Sequence, residues 1–107
     1  MKLILAGCLA IACQGAMAAD IHEATLVIQD HRFEPAELTV PAGRKIKLTV
    51  VNNDATAEEF ESYELNREKI VVGNSRIIVF VGPLEPGRYP FFGEFHMDTA
   101  KGSLIAE

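Results

Sequence analysis

Arg44-Lys45-Ile46-Lys47-Leu48-Thr49-Val50-Val51-Asn52 alternates apolar and polar side chains along most of its length. Ile46, Leu48 and Val50 fall on one side, and Lys45, Lys47 and Thr49 on the other. A period of two is the pattern of a strand with one face in a core and the other in water. The turn signal Pro41-Ala42-Gly43 precedes this run, and Asn52-Asn53-Asp54 ends it.

Short strand-like runs lie on either side of it. Residues 24–29 and 37–40 come before it as short runs rich in Val, Ile and Thr. Residues 70–72 and 76–81 follow, separated by Gly73-Asn74-Ser75. Gly82-Pro83 and Glu85-Pro86-Gly87 mark further turns. Residues 88–95 are aromatic-rich, and 103–106 close the chain. Residues 58–69 read either as an extended segment or as one holding a helical turn. The spacing of Pro and Gly discourages any long helix. The pattern predicts an all-β protein, an antiparallel sandwich of about seven strands.

The first eighteen residues have a different character. Met1-Lys2 supplies a positive start, residues 3–12 an apolar stretch too short to span a bilayer, and Ala16-Met17-Ala18 the small residues of a cleavage site. Residues 1–18 are therefore expected to be a secretory signal peptide, residues 19–107 a single domain, and the destination the periplasm. Both cysteines, Cys8 and Cys13, lie inside the signal, so the domain has no disulfide and no thiolate ligand. Loss of the signal removes Lys2 and no acid, which turns the net charge of −5 into −6. An acidic domain is repelled by phosphate backbones and anionic membranes, so nucleic acid is excluded as the expected partner. Metal ions are the partners that such a balance suits.

Several separated motifs resemble the cupredoxins. Phe33-Glu34-Pro35 with Leu38-Thr39-Val40-Pro41-Ala42-Gly43 is similar to that family's early strands. Pro86-Gly87-Arg88-Tyr89-Pro90-Phe91 is similar to the segment leading to its copper-binding cysteine, and Lys101-Gly102-Ser103-Leu104 to its last strand. The resemblance implies a cupredoxin-like Greek-key β-sandwich. It also implies where blue-copper ligands would fall: the cysteine at Gly93, the axial methionine at Ala100, the first histidine within Glu58-Glu59-Phe60, and the second at His96. Only His96 has the expected identity. A type 1 site needs a thiolate, so a blue-copper electron carrier is not expected.

Glu59-Phe60-Glu61-Ser62, Leu65-Asn66-Arg67-Glu68-Lys69 and Gly93-Glu94-Phe95-His96 with Asp98-Thr99-Ala100 resemble the cupredoxin-like proteins of bacterial Efe/Ftr-type ferrous-iron uptake systems. That resemblance implies a periplasmic protein that binds copper and/or iron and assists Fe²⁺ oxidation ahead of an iron permease and other uptake components.

The residues themselves carry a compatible chemistry. In an extended segment Glu59 and Glu61 point to one side, about 7 Å apart, and can share a cation. A solvated, charged sheet edge is the plainer reading of the same pair. Glu94, His96, Met97 and Asp98 place two carboxylates, an imidazole and a thioether in one loop. Met97 also reads as a rim residue and Asp98 as a turn cap. His31 sits where it could reach the same end of the sandwich, or serve as a structural histidine. Imidazole with carboxylate suits Fe²⁺, Zn²⁺, Mn²⁺ or Cu²⁺. The expected metal set is thus Glu59, Glu61, Glu94, His96, His31, Met97 and Asp98. A metal chaperone without a redox step, or an adaptor of a membrane transport complex, are the other functions this sequence accommodates.

Overall fold

A computed structural model describes residues 21–107, which form nine strands and no helix. They are β1 (Ile21–Gln29), β2 (Arg32–Glu34), β3 (Glu37–Val40), β4 (Lys45–Asn52), β5 (Glu58–Ser62), β6 (Arg67–Val71), β7 (Ser75–Val81), β8 (Gly87–Gly93) and β9 (Lys101–Ala106). One sheet has the order β2-β1-β4-β7 and the other β3-β9-β8-β5-β6. Residues 1–18, expected to be a signal peptide, lie with Cys8 and Cys13 outside the described residues.

The alternation in β4 sorts its side chains as expected. Ile46, Leu48 and Val50 are fully buried, and each faces an apolar partner on β7: Val81, Val79 and Ile77. Leu26 and Ile28 of β1 extend this layer, and Phe60, Phe91 and Leu104 answer it from the second sheet. Phe33 stands edge-on to Phe91 at 4.9 Å and to Phe60 at 6.1 Å. Fully burying such a side chain contributes about 1.5–3 kcal/mol, so this layer is the main source of stability in a domain with no disulfide among the described residues.

Nine strands appear where about seven were expected, for two reasons. β2 is a short partner for β1, paired through Val27↔Glu34 and Gln29↔Arg32. Residues 58–69 hold no helical turn but a hairpin, β5 with β6. Glu58, Phe60 and Ser62 alternate inward, which a helix would not allow. Asn66 takes a positive φ of 56° in the turn, and Ser62 Oγ accepts the Leu65 amide at 3.1 Å. Asparagine tolerates the left-handed region better than most residues.

This arrangement positions the candidate site. β5 lies between β6 and β8, with Phe60↔Gly93 and Glu61↔Phe92 in register. The β1–β2, β4–β5 and β8–β9 connections meet at one end of the sandwich, where Asp54 and Thr99 both bond to His31.

Candidate metal centre

Strand alternation divides the β5 carboxylates between two environments. Glu58 faces the interior, while Glu59 and Glu61 project from the outer face of the five-stranded sheet. Glu94 begins the turn after β8, and its amide donates to Glu59 O at 2.9 Å. The bond sets Glu94 beside β5. One carboxylate oxygen from each of Glu59, Glu61 and Glu94 then lies within 4.8 Å of the others. Glu68 joins this face from β6, directly opposite Glu61.

Crowded carboxylates hold protons. Partial burial, a hydrogen bond with Glu94 and the charges of Glu68, Glu94 and Glu59 push the Glu61 carboxyl up to about 6. Glu59 is raised as well, by partial burial, then by a hydrogen bond with Glu68 and the charges of Glu68, Glu94 and Glu58. A cation placed among these groups would compete with protons for the oxygens and relieve the repulsion. Oxygen donors of this kind suit hard cations.

His96 lies elsewhere. The turn after β8 is closed by the His96 amide to Gly93 O at 3.1 Å and by the Ala100 amide to His96 O at 2.8 Å. These bonds carry the ring to the end of the sandwich, where Nδ1 stands 2.7 Å from Glu58 Oε2. Glu58 is only 1% exposed. Its Oε1 accepts the amides of Glu59 at 2.9 Å and Phe95 at 2.8 Å. Three donors therefore satisfy a carboxylate that would otherwise be very unfavourable to bury.

The His31 ring stacks on His96, with centroids 3.6 Å apart and planes 13° apart. The stack is built by its surroundings. Asp30 and His31 have φ of 54° and 58°, and the Asp54 carboxylate accepts both of their amides at 2.8 and 2.9 Å. Partial burial works to raise Asp54, but the amides of His31 and Asp30, with the nearby imidazoles, outweigh it and hold its carboxyl below the ordinary value. Thr99 Oγ1 donates to His31 O at 2.6 Å. Face-to-face rings point their nitrogen lone pairs along nearly parallel planes. No single ion lies in both planes, so joint chelation by His31 and His96 requires one ring to turn.

The seven residues expected to act together thus separate. Glu59, Glu61 and Glu94 converge on the sheet face. His31 and His96 form a stacked pair at the sandwich end. Met97, 53% exposed, and Asp98 sit at the tip of the β8–β9 turn, outside the carboxylate group. Sequence reasoning missed Glu58 and Glu68. Glu58 shares the alternation phase of Phe60, which marks it as inward-facing. Glu68 becomes visible only through the hairpin register.

The type 1 copper set can be tested against this geometry. A Cβ added at Gly93 would stand 2.5 Å from Glu58 Cδ, 2.7 Å from Glu58 Oε2 and 2.8 Å from Ala100 Cβ. The space where a thiolate from position 93 would reach is filled by the Glu58 carboxylate. Ala100 is fully buried and brings no sulfur. A His₂Cys copper centre with an axial thioether does not fit.

A family model described as a cupredoxin-like domain matches residues 2–106. An uncharacterized protein of Rickettsia prowazekii (strain Madrid E) is 48% identical over 86 residues, covering 80% of this chain and 69% of the relative. Among solved structures, the "blue" copper protein auracyanin A of Chloroflexus aurantiacus superposes with a TM-score of 0.69 at 16% identity, covering 81% of this chain and 99% of that one. The metal-binding domain of the Streptococcus pneumoniae D39 Cu(I)-exporting P-type ATPase CopA gives 0.67 at 18%, covering 83% and 88%. Amicyanin of Paracoccus versutus gives 0.62 at 19%, covering 83% of each chain. At these identities the structural matches speak to the fold.

Proposed function

The chain belongs to the cupredoxin-like domain family, and from that premise we propose that it is a periplasmic metal-binding protein of ferrous-iron uptake, with iron as its cargo on Glu59, Glu61 and Glu94. The observation that carries this reading is the convergence of three carboxylate oxygens within 4.8 Å on one rigid sheet face. Carboxylates are hard donors and favour Fe³⁺ over Fe²⁺. A bound ferrous ion is therefore easier to oxidise, each Fe²⁺ giving one electron to dissolved oxygen as it becomes Fe³⁺, with the oxygen reduced and protonated to water. Glu59 and Glu61 are fixed by the β5 ladder and Glu94 by its amide bond to Glu59 O. Water completes the coordination shell, because Glu94 is exposed.

His96 plays a different part. Glu58 holds its Nδ1 and leaves Nε2 as the nitrogen for any softer ion such as copper, in the manner of carboxylate–histidine–metal pairs. An iron permease is the partner to which cargo on an open sheet face would pass. The exposure of Glu94 also favours a second reading, a chaperone that carries the ion without a redox step.

The test is anaerobic titration of residues 19–107 with Fe²⁺, followed by exposure to oxygen. One saturable equivalent in the wild type and none in Glu59→Gln/Glu61→Gln is the expected result. Equal binding in both proteins would sink the site. Iron that stays ferrous in air on the wild type would decide for the chaperone.

A further inference from the structure

The molecule is acidic overall, yet one side of it is basic. β7 is the edge of its sheet and β6 the edge of the other, and the two edges lie against each other across the open flank of the sandwich. Arg67 Nε donates to Phe80 O at 2.9 Å, and Lys69 Nζ to Ile78 O at 3.3 Å. On the other side of β7, Lys47 is the register partner of Phe80, and Lys45 Nζ stands 4.9 Å from the Phe80 ring centroid. Arg76 projects at the far end of the same strand. Among the described residues no ion pair engages Lys45, Lys47, Arg67, Lys69 or Arg76.

These cations flank apolar surface. Ile78 and Phe80 are 39% and 43% exposed, and with Arg67, Glu68, Lys69 and Val79 they line a groove of about 300 Å³. Glu68, the one acid on its wall, is engaged with Glu59 on the sheet face. Charged residues on edge strands commonly serve to block edge-to-edge pairing, and the bonds from Arg67 and Lys69 do cap β7 carbonyls. That role does not account for Lys45 and Lys47, or for the two large apolar side chains left between the cations.

We propose that the β6–β7 groove is a docking site for an extended, acidic protein segment that carries apolar side chains between its carboxylates. The groove follows two strand edges, so an extended chain lies along it with alternate residues directed down and out. Apolar residues cover Ile78 and Phe80, and carboxylates meet the cations on both rims. A membrane surface fits less well. The groove is concave, and a chain of net charge −5 is repelled by anionic lipid. The acidic face of a second copy is a sheet surface and does not enter a groove. The metal reading and this one meet at one residue, Glu68, which stands on the groove wall and also bonds to Glu59 on the sheet face.

The experiment titrates ¹⁵N-labelled residues 19–107 with a synthetic peptide of alternating Glu and Leu, with an alternating Lys and Leu peptide as control. The expected result is saturable shift changes confined to β4, β6 and β7 with the acidic peptide alone. Lys47→Glu/Arg76→Glu, which touches none of the capping bonds, should weaken binding about tenfold. Lys45→Glu/Lys69→Glu should do the same with the fold checked by its spectrum. Shift changes elsewhere, or no binding by the acidic peptide, would overturn the proposal. So would binding to phosphatidylglycerol vesicles in place of the peptide, or self-association abolished by the same charge reversals.

Discussion

Gly93→Ala and Glu58→Ala together test the packing of the pocket where the family's copper thiolate would lie. The backbone at Gly93 is not left-handed, since Gly43 and Gly82 are the positive-φ glycines among the described residues. The effect of the added methyl is therefore steric. It meets Glu58 Cδ at 2.5 Å and Ala100 Cβ at 2.8 Å. Glu58 cannot retreat, because Oε1 holds two amides and Oε2 holds His96. Overpacking of this kind costs about 1–3 kcal/mol, and a lost buried hydrogen bond costs about 1–3 more. Gly93→Ala should thus destabilise by about 3 kcal/mol.

Glu58→Ala should destabilise by a similar amount, about 3 kcal/mol, by orphaning the Glu59 and Phe95 amides. The upper range for a broken buried pair does not apply, because the His96 side chain is 26% exposed and water can reach it. The double variant decides the matter. Once Glu58 is truncated the methyl has room, and Gly93→Ala should then cost about 1 kcal/mol or less, a coupling of about 2 kcal/mol. Urea unfolding of residues 19–107, followed by far-ultraviolet circular dichroism, measures all four corners. Additivity to within about 0.5 kcal/mol would refute the claim that the two side chains compete for one space.

Cation affinity at the carboxylate face should fall as pH drops through about 6, where the Glu61 carboxyl takes up its proton, and calorimetric titration on both sides of that value measures it. A raised carboxyl adds stability that is full below its ordinary value of 4.5 and is lost as pH rises through about 6. The urea midpoint of metal-free protein should therefore decline across that window, and a decline of the same size in Glu61→Gln would count against the assignment. Asp54→Ala should lose about 2 kcal/mol at neutral pH with the two amide bonds at Asp30 and His31. Asp54 lies below its ordinary 3.8, so its contribution is full above 3.8 and disappears as pH falls through the folded value. Urea midpoints at neutral and strongly acid pH should show the gap between variant and wild type closing, and a constant gap would contradict this. Arg67→Ala frees the Phe80 carbonyl on an edge strand, so it should shorten the lag before aggregation, read by light scattering, with stability lowered by about 1 kcal/mol or less.

How much of this was legible in the sequence varies by residue. Ile46, Leu48 and Val50 announce β4 because alternation alone fixes their side. The same rule set Glu59 and Glu61 outward together. It left residues 58–69 open, since a hairpin depends on the Asn66 turn and on a partner strand, neither of which has a periodic signature. His96 was expected beside the acids because it lies close to Glu94 in the chain. Hydrogen bonds from residues 93–100 set its actual direction, and spacing does not encode them. Glu58 was harder to see, because a glutamate next to two other charged positions in a strand reads as solvated. Its burial depends on donors from His96 and Phe95, which are 38 and 37 residues away.

Glu58 and Glu59 are neighbours on one strand and meet opposite fates. The inner carboxylate is saturated by three donors and makes the interior unavailable to a cation. The outer one is raised above its ordinary value by partial burial and by its bond to Glu68, and lies open to an ion. Gly93 and Ala100 carry little or no side chain, and without another group between them the end of the sandwich would hold a destabilising void. The Glu58–His96 pair fills that space and ties β5 to the β8–β9 turn. An ion on the opposite face of β5 gains no such enclosure. It keeps part of its water, feels a high dielectric and leaves readily. Those properties suit passing an ion to another protein better than holding it for electron transfer, so the inward turn of one glutamate and the outward turn of the next lead from strand alternation to the choice between those two functions.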